Sequence, residues 1–328
     1  MDQKQTQTVP TESLLTVSPS PHIHRRGLST ASLMKDVFIA LLPAAIWGCY
    51  VFGWRAAVIL LISLVSSVAF EALTELLLRR TVTISDCSAA VTGLLLGMNL
   101  PSSVPFYIPV LGSAFAIIVV KQLFGGIGKN VMNPALAARV FLMLSFTDKM
   151  TSFYAPFDAV ASATPLASLK TGSLSVSLAD LFFGKIGGCI GEVSALLLLA
   201  GGIYLLVRKV IRWQIPVAFL GTVALLTFLF PRGDMGRLDF MLASLLSGGL
   251  LLGAIFMATD YVTSPVTPWG RVIYGVGCGA LVVFLRYFSG MNGGVSYAIL
   301  IMNALVWYLD QATIPRVYGK PRREKKKS

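Results

Sequence analysis

Few side chains in this sequence are of a type and spacing that can do chemistry. The four cysteines, Cys49, Cys87, Cys189 and Cys278, lie far apart with no Cys-x-x-Cys, and the only histidines, His22 and His24, sit in a polar amino-terminal stretch. A haem, a zinc centre or a four-cysteine iron–sulfur cluster held by this chain alone is not expected, and no metal ligand or catalytic residue is assigned. Thr164 is different. Ser162 and Ala163 before it are small, and Pro165 after it disfavours helix at the preceding residue, which leaves the Thr164 hydroxyl extended and open to another enzyme. Such a hydroxyl can accept a phosphoester, although composition alone favours a plain Ser/Ala/Thr loop.

The acidic side chains near apolar sequence are Glu71, Glu75, Asp86, Glu192, Asp239, Asp260 and Asp310. A charge inside a bilayer is costly, so those that prove central are suspects for an ion pathway. Glu71 and Glu75, one helical turn apart and near Arg79, read as a solvated helix end.

What must position these groups is a membrane protein. Of 328 residues 55% are hydrophobic and 13% charged, with a mean hydropathy of +0.75, a balance that soluble domains of this length do not show. The net charge of +12 concentrates near the ends, a signal of membrane orientation rather than of nucleic-acid binding. A bilayer core of about 30 Å needs about 20 apolar residues per helix. Ten runs of this kind cover residues 36 to 53, 56 to 74, 86 to 100, 105 to 123, 134 to 147, 186 to 207, 212 to 230, 239 to 258, 269 to 288 and 293 to 312. With both termini in the cytoplasm, 19 Lys and Arg fall on the inner side and 7 on the outer, with Arg139 inside a span.

Two runs are anomalous in the same manner. The third carries Gly93-Leu94-Leu95-Leu96-Gly97 and the eighth carries Gly249-Leu250-Leu251-Leu252-Gly253, so one pentapeptide occurs at the third span of each half. Phe124-Gly125-Gly126-Ile127-Gly128 before the fifth span is echoed by Phe288-Ser289-Gly290-Met291-Asn292-Gly293-Gly294 before the tenth. Five spans per half would set the second half upside down, and inverted repeats with short Gly-interrupted spans build sites at mid-membrane. On this reading Gly97 and Gly253 face each other and, with Asp86 and Asp260, are ion-pathway candidates; close helix packing is the alternative use of the glycines. The expected organisation is a flexible cytoplasmic arm over 1–35, a first five-helix repeat over 36–147, an outer loop over 148–177, a second repeat over 178–312 and a basic cytoplasmic tail over 313–328. Asn133-Pro134 reads as a helix start, and the Gly-rich stretch with Lys129 before it as a turn or an anion cradle. Asp260 with Ser264-Pro265, at the inner end of a short span, suits an ion, a bound cofactor or a helix cap.

Four ordered stretches carry a resemblance: Ser85-Asp86-Cys87-Ser88-Ala89-Ala90-Val91-Thr92-Gly93, Gly125-Gly126-Ile127-Gly128-Lys129-Asn130-Val131-Met132-Asn133-Pro134-Ala135, Ser162-Ala163-Thr164-Pro165-Leu166, and Phe256-Met257-Ala258-Thr259-Asp260-Tyr261-Val262-Thr263-Ser264-Pro265. From about residue 36 to 315 the chain resembles the RnfD/NqrB family, and its short loops are more like RnfD. The resemblance implies a flavin-carrying subunit of an ion-translocating complex that moves electrons between ferredoxin and NAD in the bacterial inner membrane. It implies FMN joined through its phosphate to Thr164 by a flavin transferase on the outer side, with Asp158, Ser162 and Ala163 as the flanking motif. Ala161 and Ser162 depart from the family's Ser/Thr-Gly pair. A second, non-covalent flavin is left open. The chain has no fingerprint for NAD and no cluster of cysteines, so its electrons pass through partner subunits carrying iron–sulfur and flavin groups. A stand-alone transporter or channel for a small solute on the same fold is the competing reading, distinguished by a colourless protein.

Overall fold

The computed structural model describes residues 29–80, 83–157, 164–170, 176–233, 235–289 and 293–315; the regular elements among them are helices, joined by turns and loops, with an isolated bridge between Pro101 and Cys189. Helix α1, Thr30–Phe52, begins where the Ser29 hydroxyl accepts the Ser32 N–H at 3.1 Å. It therefore starts six residues before the first apolar run, because the cap rather than the first hydrophobic residue sets the boundary. Gly53, at φ 74°, turns the chain into α2, Trp54–Leu77. These two helices and α13, Pro268–Phe288, are long and apolar enough to cross a membrane.

A fourth candidate span is broken. Helix α11, Arg237–Leu246, and helix α12, Leu250–Met257, meet at an angle of 61°. Gly248 and Gly249 in the break have φ of 71° and 64°, backbone that residues with a Cβ rarely adopt. Shorter apolar helices complete the set: α3 (Ser88–Met98), α4 (Tyr107–Gln122), α5 (Pro134–Ser145), α9 (Ala195–Val207) and α10 (Gln214–Leu229). Helix α14 is Val295–Thr313. Among the described residues these helices lie over all ten apolar runs. The run from 186 is corrected, since its helix starts only at Ala195 under a Ser194 cap. The residues before it form a strap against the end of α3, with Ile190 N–H donating to Leu100 O at 3.0 Å and Gly191 N–H to Met98 O at 2.7 Å. Short helices α6 (Thr147–Met150), α7 (Pro165–Lys170) and α8 (Leu178–Phe183) occupy the segment between the halves.

Most buried apolar residues form one core, contributed by α1 to α5, α9, α10 and α12 to α14. A small second cluster, Leu169, Leu181, Ile186, Phe240 and Ala243, pins α7 and α8 to α11. Two helices loosen to the wider π geometry, α4 over Phe115–Gln122 and α12 over Gly253–Met257. Such turns often re-aim side chains at functional places.

The glycine-rich spans do not face each other through their glycines. A Cβ on Gly93 would lie 2.6 Å from Ser63 O, and one on Gly97 would lie 2.9 Å from Leu60 Cδ2, so both glycines seat α3 against α2. Gly253 instead faces Val295 of α14. The two short helices touch at their polar ends, where Asn99 Nδ2 donates to Met257 Sδ at 3.5 Å.

Candidate functional site

Two buried charge assemblies occupy the inside of the fold. The first lies between α2, α3 and α4. Lys121, in the π stretch of α4, pairs with Glu71 Oε1 and donates to Ser88 Oγ at 2.6 Å. Gln122 Nε2 reaches Glu71 at 3.3 Å and Glu75 at 3.4 Å. Glu75 also accepts the Thr83 N–H at 2.9 Å and the Thr83 hydroxyl at 2.5 Å. Glu71 and Glu75 are 0% and 3% exposed, which corrects their reading as a solvated helix end. The ladder of partners on α4 and at Thr83 allows carboxylates to be buried there. Glu71 Oε2 is left without a partner.

Lys121 and Ser88 also line a cavity of about 90 Å³ with Asn130, Asn133, Thr259 and Asp260. Asp260 accepts the Thr263 hydroxyl at 3.2 Å. Burial pushes its carboxyl up, while the Thr263 hydroxyl and the backbone N–H groups of Val262 and Tyr261 pull the other way. Asp86 stands one residue before the Cys87 N-cap of α3, and its Oδ1 accepts both the N–H and the hydroxyl of Ser88 at 2.7 Å. Asn133 caps α5 as the sequence suggests, through Ala135 and Leu136 N–H, and its amide also donates to Met257 O at 3.2 Å.

The second assembly sits at the break. Arg139 of α5 donates to Asn99 Oδ1 at 2.5 Å and to Glu192 Oε1 at 3.2 Å, and its Nη2 lies 3.6 Å from Cys189 Sγ. Glu192 in turn touches the break, since a Cβ on Gly249 would lie 2.5 Å from Glu192 Oε1. On the other side of the break Arg286 of α13 donates to Ser244 O at 2.6 Å and Ser247 O at 2.9 Å. A cation thus closes the carboxyl end of α11 and an anion stands at the amino end of α12, the order that the helix dipoles favour.

Thr164 lies in a cleft at this break, lined by Arg139, Cys189, Glu192, Gly248 and Gly293. Its hydroxyl sits at the start of α7, accepting the Ala167 N–H at 3.4 Å. Space remains beside it, because a Cβ on Gly293 would come no nearer than 3.9 Å to a neighbour, Leu166. Asp158, Ser162 and Ala163 lie outside the described residues. Gly97 lies against α2 and Gly253 against α14, and the structure brings neither of them to this cleft. Arg139, Glu192 and Lys121 carry the geometry. What signals them in sequence is charge inside or beside an apolar run, which leaves their partners unspecified.

These observations define a class: an all-helical protein with candidate membrane spans, one of them broken, built around buried ion pairs. The chain belongs to the NQR2, RnfD, RnfE family, whose family model matches residues 16–319. It is similar, at 49% identity over 93% of this chain and 95% of the relative, to the D subunit of the Na(+)-translocating ferredoxin:NAD(+) oxidoreductase complex of Acetobacterium woodii. It is similar, at 39% identity over 95% and 98%, to the D subunit of the proton-translocating ferredoxin:NAD(+) oxidoreductase complex of Clostridium ljungdahlii. The D subunit of an ion-translocating oxidoreductase complex of Stutzerimonas stutzeri is 40% identical over 90% and 94%.

Proposed function

We propose that this chain is the D subunit of an ion-translocating ferredoxin:NAD oxidoreductase complex and that it carries FMN as a phosphoester on Thr164. The similarity to D subunits over nearly the whole chain supports the first part. The observation that carries the second is the place of the Thr164 hydroxyl, in a cleft lined by Arg139 and Glu192 with open space at Gly293. Bound flavin would supply one- and two-electron transfer. This chain's part is placement: Thr164 provides the oxygen of the ester, Arg139 brings positive charge to the cleft, and the fixed helix break holds both. Iron–sulfur and flavin subunits are the electron donors and acceptors, and a flavin transferase loads Thr164.

The same reading sets the chain in the bacterial inner membrane with ten crossings as two inverted repeats, residues 1–35 and 313–328 in the cytoplasm, and 148–177 outside. The test uses whole cells and denaturing gels. Wild type gives a fluorescent band that disappears in Thr164→Ala, and Ser152→Cys in a Cys-free background reacts with an impermeant maleimide from outside. A covalent flavin that persists in Thr164→Ala sinks the attachment site; labelling at Ser152→Cys only after lysis overturns the topology.

A further inference from the structure

The turn between α1 and α2 encloses a cavity of about 440 Å³, walled by Tyr50, Trp54, Arg55, Ser102, Tyr154 and Phe157. Thr164 does not line it. Two side chains that line this space, Arg55 and Ser102, carry a buried donor without an acceptor among the described residues, and the amino end of α2 lies beside them. Arg55 forms no ion pair or hydrogen bond with the described residues; it lies over the Phe106 ring at 5.4 Å, and its Nε is buried without an acceptor. Ser102 is 2% exposed and its hydroxyl is unpartnered. Helix α2 begins here with Gly53 as its N-cap, no side-chain cap and no acid in its first turn. Its 24 residues present first-turn N–H groups and the positive end of the dipole. Leaving a buried donor unmade costs about 1–3 kcal/mol, so a cluster of such donors marks the place of an acceptor supplied from outside the chain.

We infer that this cavity binds the phosphodiester of a membrane phospholipid. One guanidinium and one helix end together match a single negative charge, that of a phosphodiester, better than the double charge of free phosphate. The hairpin joins the ends of two candidate spans, so the cavity lies at the level of the headgroups. Trp54, Tyr50 and Phe157 are exposed there as interface residues are. The exposed apolar side chains of Ile46 on α1 and Leu61 on α2 continue away from the cavity as a surface for acyl chains.

The test reconstitutes the full chain in nanodiscs and counts retained lipid by native mass spectrometry, with dioleoylphosphatidylglycerol, dioleoylglycerol and inorganic phosphate as probes. One phosphatidylglycerol should stay bound through detergent stripping. Arg55→Gln should weaken its retention about tenfold or more, a loss of about 1.4 kcal/mol. Ser102→Ala, which removes only an unpartnered hydroxyl, should weaken it by a smaller factor while leaving the melting temperature unchanged. Equal retention in both variants overturns the assignment. So does equal retention of dioleoylglycerol, because recognition would then not be of phosphate. Displacement by millimolar inorganic phosphate assigns the site to free phosphate and overturns the lipid. Gel fluorescence at Thr164 should persist in Arg55→Gln; its loss would tie the cavity to the flavin loop instead.

Discussion

The two buried ion pairs are built for different mechanical settings. Lys121 and Glu71 have side chains 4% and 1% exposed and are surrounded by partners from α2, α3 and α4, all within the first half of the chain. Arg139 and Glu192 are 10% exposed each. They join α5, the strap before α9 and the amino end of α12, which binds the two halves of the chain together beside the Thr164 cleft. The first pair is a closed lock within one packing unit. The second is a pin between the two halves of the chain, with glycine backbone next to it. Burial alone is therefore a poor guide to what an ion pair does; the elements it joins decide that.

The sharpest way to break this contrast is to strip one charge from each pair. Lys121→Met leaves Glu71 buried and charged, and it should cost about 3–5 kcal/mol, read as a collapse of the melting transition in detergent. Adding Glu71→Leu should recover most of that loss, because the penalty belongs to the uncompensated charge rather than to the missing bond. Glu192→Gln should cost less, about 1–3 kcal/mol, since Arg139 keeps Asn99 and the amide still accepts a bond. Its larger effect should be local, seen as faster hydrogen exchange across 247–252. Gly249→Ala should raise exchange in the same segment by straining a backbone at φ 64° and displacing the Glu192 carboxylate. Equal melting losses for Lys121→Met and Glu192→Gln, with no change in exchange at the break, would remove the distinction.

The smallest expected effect is one of pH. The Asp260 carboxyl sits above its ordinary range when folded, so the folded chain holds that proton more tightly than the unfolded chain. Its contribution to stability is fully present below the ordinary carboxylate pKa of about 4 and is lost as pH rises through the raised folded value. Asp260→Asn should flatten the fall in melting temperature over that window. An unchanged slope would show that Asp260 is not the titrating group.

Hydropathy was enough to place the helices, because ten apolar runs separated by Pro, Gly or charge leave little freedom in where helices form. The cap chemistry of Asn133-Pro134 was equally local and equally legible. The ion pairs were not. Glu71 and Lys121 are fifty positions apart, and Arg139 and Glu192 slightly more, so their meeting depends on how α2 packs on α4 and how the strap folds back under α3. Glu71 and Glu75 looked solvated because the i, i+4 spacing reports a helix face without reporting what covers it. The repeated Gly-Leu-Leu-Leu-Gly marked two short helices correctly, but identical strings found different partners, α2 for Gly97 and α14 for Gly253. Thr164 stands out in the sequence through its small neighbours, Pro165 and its motif, none of which shows the cleft around it.

Helix α3 has 11 residues, a length of about 16 Å, against a hydrocarbon layer of about 30 Å. Charged and polar groups approach its two ends, Lys121 with Ser88 at one and Arg139 with Asn99 at the other. Helix α3 by itself is therefore too short to cross such a layer, and the polar groups at its ends are kept from hydrocarbon by α1, α2, α4 and α5 packed around it.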